Sequence, residues 1–145
     1  MRRIPRVEQI RVRRAAELLG VSDDTLRRWI AAGEVSSTTD DAGRTVVDGA
    51  DLARLASRRA PEPVADGIGA ERSARNRFVG LVTDVRSDTV MSQVTMQCGP
   101  FEVTSLMSTD AVRDLGLEVG VVATALVKAT TVIVERPDSS LEKEN

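Results

Sequence analysis

Histidine and tyrosine are absent from this chain of 145 residues, and cysteine occurs once, at Cys98. Without histidine, the commonest general base and the commonest transition-metal ligand are both missing. No Ser-His or Cys-His nucleophile pair can form. A single cysteine excludes an internal disulfide and any multi-cysteine metal site, and Cys98 reads as a small apolar strand residue. Paired-carboxylate chemistry stays open, but no Asp or Glu stands in a distinctive motif. The composition favours binding over catalysis, so the expectation is no enzyme, no bound metal ion and no organic cofactor.

Aromatic residues are nearly missing too: two Phe and one Trp in a chain that is 41% hydrophobic. The core must be built from Val, Leu, Ile, Ala and Met. No apolar run approaches the roughly 18 residues of a membrane span. The first residues, MRRIPRVEQIRVRR, lack an apolar signal region, so a cytoplasmic protein without membrane contact is expected. Lysine is the last scarcity. Of 20 basic residues only Lys128 and Lys143 are lysines. Lys143 lies in a polar tail, whereas Lys128 interrupts an apolar run.

The small negative net charge hides a split. Residues 1–60 carry 12 Arg against nine Asp and Glu, and residues 61–145 carry eight basic against 13 acidic groups. The modestly basic first half suits a polyanion partner. The stretch APEPVADGIGA, rich in Pro and Gly and without amphipathic period, reads as a linker. The expected division is residues 1–60, a linker at 61–71, a second domain at 72–136, and a flexible tail at 137–145.

The first half reads as helical. A short helix over residues 13–19 turns Ala15, Ala16, Leu18 and Leu19 inward and ends at Gly20. Ser22 caps a second helix reaching about residue 32, with Asp23 and Asp24 in its first turn and Leu26, Trp29 and Ile30 on the core face. A turn at residues 40–43, an extended piece at 44–47 and a third helix over 49–59 follow. Helix, tight turn and helix make a helix-turn-helix whose second helix would enter the major groove of double-stranded DNA. Ser22, Thr25 and Arg28 share one face of it and Arg27 flanks them. Arg14 on the first helix and Arg44 on the wing complete the candidate DNA contacts. A solvated helix face, or a helix pair used for protein contacts, is the plainer reading of the same residues. The stretch VRRAAELLGVSDDTLRRWIAAGEV resembles the winged helix-turn-helix of MerR-type regulators and phage excisionases. The sequence departs from that pattern after Gly33, where the wing is Ser/Thr/Asp-rich with only Arg44.

The second half reads as β: strands over residues 77–85, 89–98, 101–107, 121–127 and 130–134, with a short helix over 108–115. Five strands and one helix suggest a small closed barrel of the oligonucleotide- or oligosaccharide-binding (OB) kind, and the whole chain an α+β protein. Two stretches bracket this half, Ser73-Ala74-Arg75-Asn76 and Lys128-Ala129-Thr130-Thr131-Val132. Each joins small hydroxyl residues to a fixed positive charge, the donor set that a tetrahedral oxyanion needs.

With Thr104-Ser105 and Leu115-Gly116-Leu117-x-x-Gly120 between them, these blocks resemble the molbindin domain, the small barrel of molybdate-binding and molybdate-responsive proteins. The resemblance implies molybdate or tungstate bound between subunits by Ser73, the Ala74 backbone, Arg75, Ser108 and Lys128, the last within the Lys128-Ala129 segment. Asn76 would hold the loop. The family often has a further Ser where Ala111 aligns, and Thr109 is the candidate replacement donor. The resemblance also implies a homo-oligomer, a dimer or a trimer of dimers. The combined expectation is a molybdate- or tungstate-responsive DNA-binding regulator. A molybdate store whose first domain serves assembly, and a partner of a molybdate transporter, are the other readings.

Overall fold

In unit 1, a first short strand β1 (Gln9–Arg11) runs straight into α1 (Val12–Leu19), which stops at Gly20 with φ of 68°. Only glycine adopts that left-handed geometry without strain, and it lets the chain reverse into α2 (Asp23–Ala31). The hairpin β2 (Ser37–Thr39) and β3 (Thr45–Asp48) follows, then α3 (Gly49–Arg59), capped by the Asp48 side chain accepting from Asp51 N. These strands form a sheet in the order β1-β3-β2, the wing of a winged helix-turn-helix. The computed structural model describes residues 8–65, 67 and 76–137. It divides into two units, Met1–Glu62 and Pro63–Asn145.

The core of unit 1 is small and aliphatic: Val12, Ala15, Ala16, Leu26, Val35, Val47, Leu52 and Leu55, edged by Trp29 and Ile30. Leu18, expected inward, is instead 56% exposed. Val12, Ala15, Ala16 and Leu19 define the inward stripe, and at about 100° per residue Leu18 falls on its flank. Trp29 does more than fill space. The Arg59 guanidinium lies 4.6 Å from its ring centroid and pairs with Glu34. This clamp fixes the end of α3 against the turn after α2.

Unit 2 is an antiparallel sheet ordered β6-β5-β4-β7. It comprises β4 (Asn76–Ser87), β5 (Met91–Cys98), β6 (Phe101–Ser108) and β7 (Val122–Val127), with α4 (Thr109–Leu115) between the last two strands. Strand β5 alternates as its sequence requires, with Ser92, Val94, Met96 and Cys98 buried. Strand β4 organises the rest. Its first half, residues 76–81, pairs with β7, and its second half, from Leu81 on, pairs with β5. At the changeover sits Gly80, where an added Cβ would lie 2.3 Å from the Gln97 carbonyl oxygen and 2.7 Å from Cys98 Sγ. A bulge follows at Thr83, which shifts the register between Val82 and Asp84. It lets Val82 and Val85, three residues apart, both join the core with Val94, Met96, Cys98 and Val112. Close approach and bulge together curl the sheet into the OB-like form, and the protein is α+β.

The fifth expected strand does not form. Residues 129–131 make a 3-10 turn instead, and residues 132–137 join no ladder. Thr131 donates to the Lys128 carbonyl through both N and Oγ1, at 2.9 and 2.8 Å, which bends the chain off the line of β7.

Gly80→Ala is expected to destabilise the full chain by about 1–3 kcal/mol through overpacking against the β5 backbone. Urea unfolding followed by far-UV circular dichroism measures it, and an unchanged midpoint would contradict the close approach.

Candidate functional site

Two exposed regions collect the residues that can bind charge. On α2, Ser22 is the N-cap, its Oγ accepting from Thr25 N at 3.2 Å. Ser22 Oγ and Thr25 Oγ1 share a hydrogen bond of 2.9 Å, and Arg28 donates to Thr25 Oγ1 at 3.2 Å. The three residues expected on one face are thus linked in a row. Arg27 is exposed beside them and makes no hydrogen bond or ion pair among the described residues. Arg14, on α1, is exposed and paired with Glu17 at 3.4 Å. Arg44 follows the wing turn, where Asp40 Oδ1 accepts from Ala42 N and Arg44 N at 2.9 and 2.8 Å. The wing tip therefore carries Asp40 and Asp41 beside one arginine.

In unit 2 the last residue of the first bracketing stretch, Asn76, stands beside the start of the second. Asn76 opposes Val127, and its Nδ2 donates to the Val127 carbonyl at 3.1 Å. The residue after Val127 is Lys128, exposed, its ammonium without a hydrogen bond or ion pair among the described residues. Ala129 opens the 3-10 turn that follows. That bond ties the start of β4 to the end of β7. Ser73, Ala74 and Arg75 lie outside the described residues.

Ser108 and Thr109 stand elsewhere. Ser108 caps α4, accepting from Ala111 N at 3.1 Å, and is exposed. It pairs with Met91, beyond the far end of β4. Thr109 is only 6% exposed, and its hydroxyl donates to the Asp88 carbonyl at 2.9 Å and bonds Ser92 Oγ at 2.9 Å. Ser92 in turn bonds Ser87 Oγ at 2.7 Å. Thr109 faces inward and holds the start of α4, so the structure removes it as an outward donor. The alternation of β5 hinted at this network, because a buried Ser92 needs a partner.

The turn beneath α4 is fastened by Asp88, whose Oδ1 accepts from the Met91 and Val90 N–H groups, each at 2.7 Å. Those two bonds, Met91 first, hold its carboxyl below the usual 3.8. Burial pushes the Cys98 thiol up, in keeping with a strand residue inside the sheet. Among the described residues no cluster of His, Cys, Asp or Glu could hold a metal ion, and no helix is long and apolar enough to cross a membrane.

A helix-turn-helix domain model matches residues 10–60, and a TOBE domain model matches residues 72–134. Over 63 residues, 43% of this chain, it is 38% identical to molybdenum-pterin-binding protein 3 of Clostridium pasteurianum, covering 93% of that protein. The chain belongs to the TOBE family of the molbindin kind. A helix-turn-helix domain precedes its TOBE domain. Molybdenum transport protein ModE of Herbaspirillum seropedicae is 36% identical over 63 residues, 43% of this chain and 23% of ModE. The solved molybdate binding protein from Sporomusa ovata is 34% identical, covering 46% of this chain and 100% of that one, at a TM-score of 0.45. The molybdate-bound cytoplasmic protein ModG is 38% identical, covering 45% of this chain and 47% of that one, at a TM-score of 0.43. These families are of binding rather than enzymatic kinds.

Thr109→Val should cost about 1–3 kcal/mol, since it leaves the buried Ser92 hydroxyl short of a partner and frees the start of α4 from the Asp88 carbonyl. Urea unfolding at neutral pH checks it, and equal stability would remove the network's role. Asp88 sets an acid limb. Its folded pKa is depressed, so its contribution is complete above the unfolded value of 3.8 and is lost as pH falls through the lower folded value. Asp88→Asn should flatten that limb relative to the parent chain while the neutral-pH curves stay parallel.

Proposed function

We propose that this protein is a molybdate- or tungstate-responsive DNA-binding regulator whose TOBE domains bind the oxyanion between copies of the chain. The observation that carries the reading is the length of β4. Asn76 and Lys128 stand at its start, and Ser108 stands beyond its end at Ser87. Eleven residues at about 3.3 Å each separate those ends, roughly 30 Å along a coiled strand. One copy cannot close both groups around a small ion, whereas two copies can each supply one.

The donor set matches the ligand. Arg75 precedes Asn76 in the sequence, as Lys128 follows Val127. One guanidinium and one ammonium neutralise a dianion, and the hydroxyls of Ser73 and Ser108, the Ala74 N–H and the Lys128-Ala129 segment supply neutral donors. Bare oxyanion is favoured over a pterin. The chain has only Trp29, Phe78 and Phe101 to stack on a ring. Trp29 belongs to unit 1, Phe78 packs against the unit 2 core and Phe101 begins β6, away from Asn76. Surface for self-association is present. On the outer face of the sheet Leu81 opposes Val122, both exposed, and beyond β7 Ile133 and Val134 are 86% and 88% exposed. Bringing copies together would also pair helix-turn-helix units on successive half-sites, contacted by Arg14, Ser22, Thr25, Arg27, Arg28 and Arg44.

A store is the second reading, and the wing favours it: Asp40 and Asp41 at the tip oppose phosphate. Binding to DNA by the parent chain separates the two.

Molybdate should raise the melting temperature of the full chain while equal sulfate leaves it unchanged. Lys128→Ala should keep the fold and lose that rise. A Lys128→Ala protein that still responds to molybdate would overturn the site assignment. Light scattering on the same samples should show a larger assembly with molybdate than without.

A further inference from the structure

On the exposed face of α2, Ser22, Thr25 and Arg28 form a hydrogen-bonded row, at 2.9 Å between the two hydroxyl oxygens and 3.2 Å from Arg28 to Thr25 Oγ1. An exposed arginine on a helix normally samples many rotamers. Here one N–H is tied back to Thr25, and Thr25 is steadied by the N-cap serine, which also accepts from Thr25 N. A guanidinium has five donors, so this tether leaves the forked pair free to point outward. We infer that Arg28 is the base-reading residue of this protein, forking to O6 and N7 of a guanine in the major groove, and that Thr25 is its positioning residue. The inference rests on the reading of α2 as a DNA-recognition helix and names the base that helix takes.

Its neighbours divide the work. Arg27 is exposed and makes no hydrogen bond or ion pair among the described residues, so nothing aims it. It suits a phosphate, which accepts a charge from many directions. Asp23 and Asp24 fill the first turn of α2 and are exposed. Two carboxylates there repel backbone phosphate from the helix N-terminus. They bias that end toward base edges, where a carboxylate accepts from a cytosine amine. A row that holds one guanidinium, set among groups that reject phosphate, is an arrangement for reading a base. Loss of a bidentate guanine contact weakens binding about tenfold to a hundredfold, and only against duplexes that carry that guanine.

The test is selection from random-sequence duplex DNA by the full-length chain at one fixed salt concentration, run in parallel for the parent, Arg28→Ala, Arg28→Lys, Arg27→Ala and Thr25→Val. The parent should enrich a guanine at one position of each half-site. Arg28→Ala and Arg28→Lys should both lose that preference and keep the others, because lysine keeps the charge and lacks the fork. Thr25→Val should keep the preference and bind the enriched duplex several-fold more weakly, with an unchanged salt slope. Arg27→Ala should keep every base preference and lower the salt slope by about one. If the parent enriches a sequence and Arg28→Ala enriches the same one, or Arg28→Lys restores the guanine, the assignment falls while DNA binding stands. If the parent enriches nothing and binds no duplex, the DNA reading falls with it.

Discussion

Everything in the TOBE half depends on one strand being long, bent and shared. Strand β4 gives its first half to β7 and its second to β5, and it can do so only because nothing projects from Gly80 into the β5 backbone. The bulge at Thr83 then returns the apolar residues to the core side, so the bend costs no burial. The same length that lets β4 organise the sheet sets its two ends far apart. In the proposed function this geometry is what calls for two copies: a strand long enough to belong to two partners sets its ends too far apart for one chain to wrap a small anion.

Hydroxyl groups serve two different ends in this molecule. In the TOBE domain the buried Ser92 and Thr109 join a row that runs from Ser87 to the Asp88 carbonyl. It fixes where α4 starts, leaving Ser108 at the surface. In the helix-turn-helix the row of Ser22 and Thr25 runs along the surface and ends on a guanidinium. Burial separates the roles. A satisfied hydroxyl row inside a sheet gives rigidity, and an exposed one aims a charge. Around both rows the cores are thin, and unit 1 offsets its small aliphatic core with the stacked and paired Arg59 over Trp29.

Much of this was legible in the residues. Gly20 and Ser22 marked the turn and the cap because each residue type has a local reason to be there, and those reasons do not depend on distant partners. Leu18 was misread because a run of apolar residues does not say which of them lies at the centre of the stripe. The last strand was misread because β-propensity in Val132, Ile133 and Val134 says nothing about whether a neighbour is available to pair. Thr109 looked like a donor by position, and only the fold revealed that its hydroxyl points into the sheet. The candidate blocks were visible by their spacing. That Lys128 and Ser108 stand beyond opposite ends of β4 was not, since spacing along a chain carries no distance in space.

The charge split bears on how the proposed regulation works. With 12 basic against nine acidic groups, residues 1–60 carry too little excess charge to hold DNA by field alone, and residues 61–145 are net acidic. A single helix-turn-helix of this kind must bind weakly, so useful affinity has to come from joining copies, where the second contact is made at high effective concentration. In the proposed mechanism, joining copies at the TOBE site gathers the Lys128 charges, which repel without a dianion between them. The oxyanion converts that repulsion into attraction, so occupancy and assembly are linked in the proposed mechanism. Linkage is reciprocal: a duplex that holds two copies at the spacing of the loaded assembly must raise oxyanion affinity by the same factor that the oxyanion raises affinity for the duplex. A duplex of mismatched spacing must lower it. In the proposed mechanism the sign of the response then follows the half-site spacing.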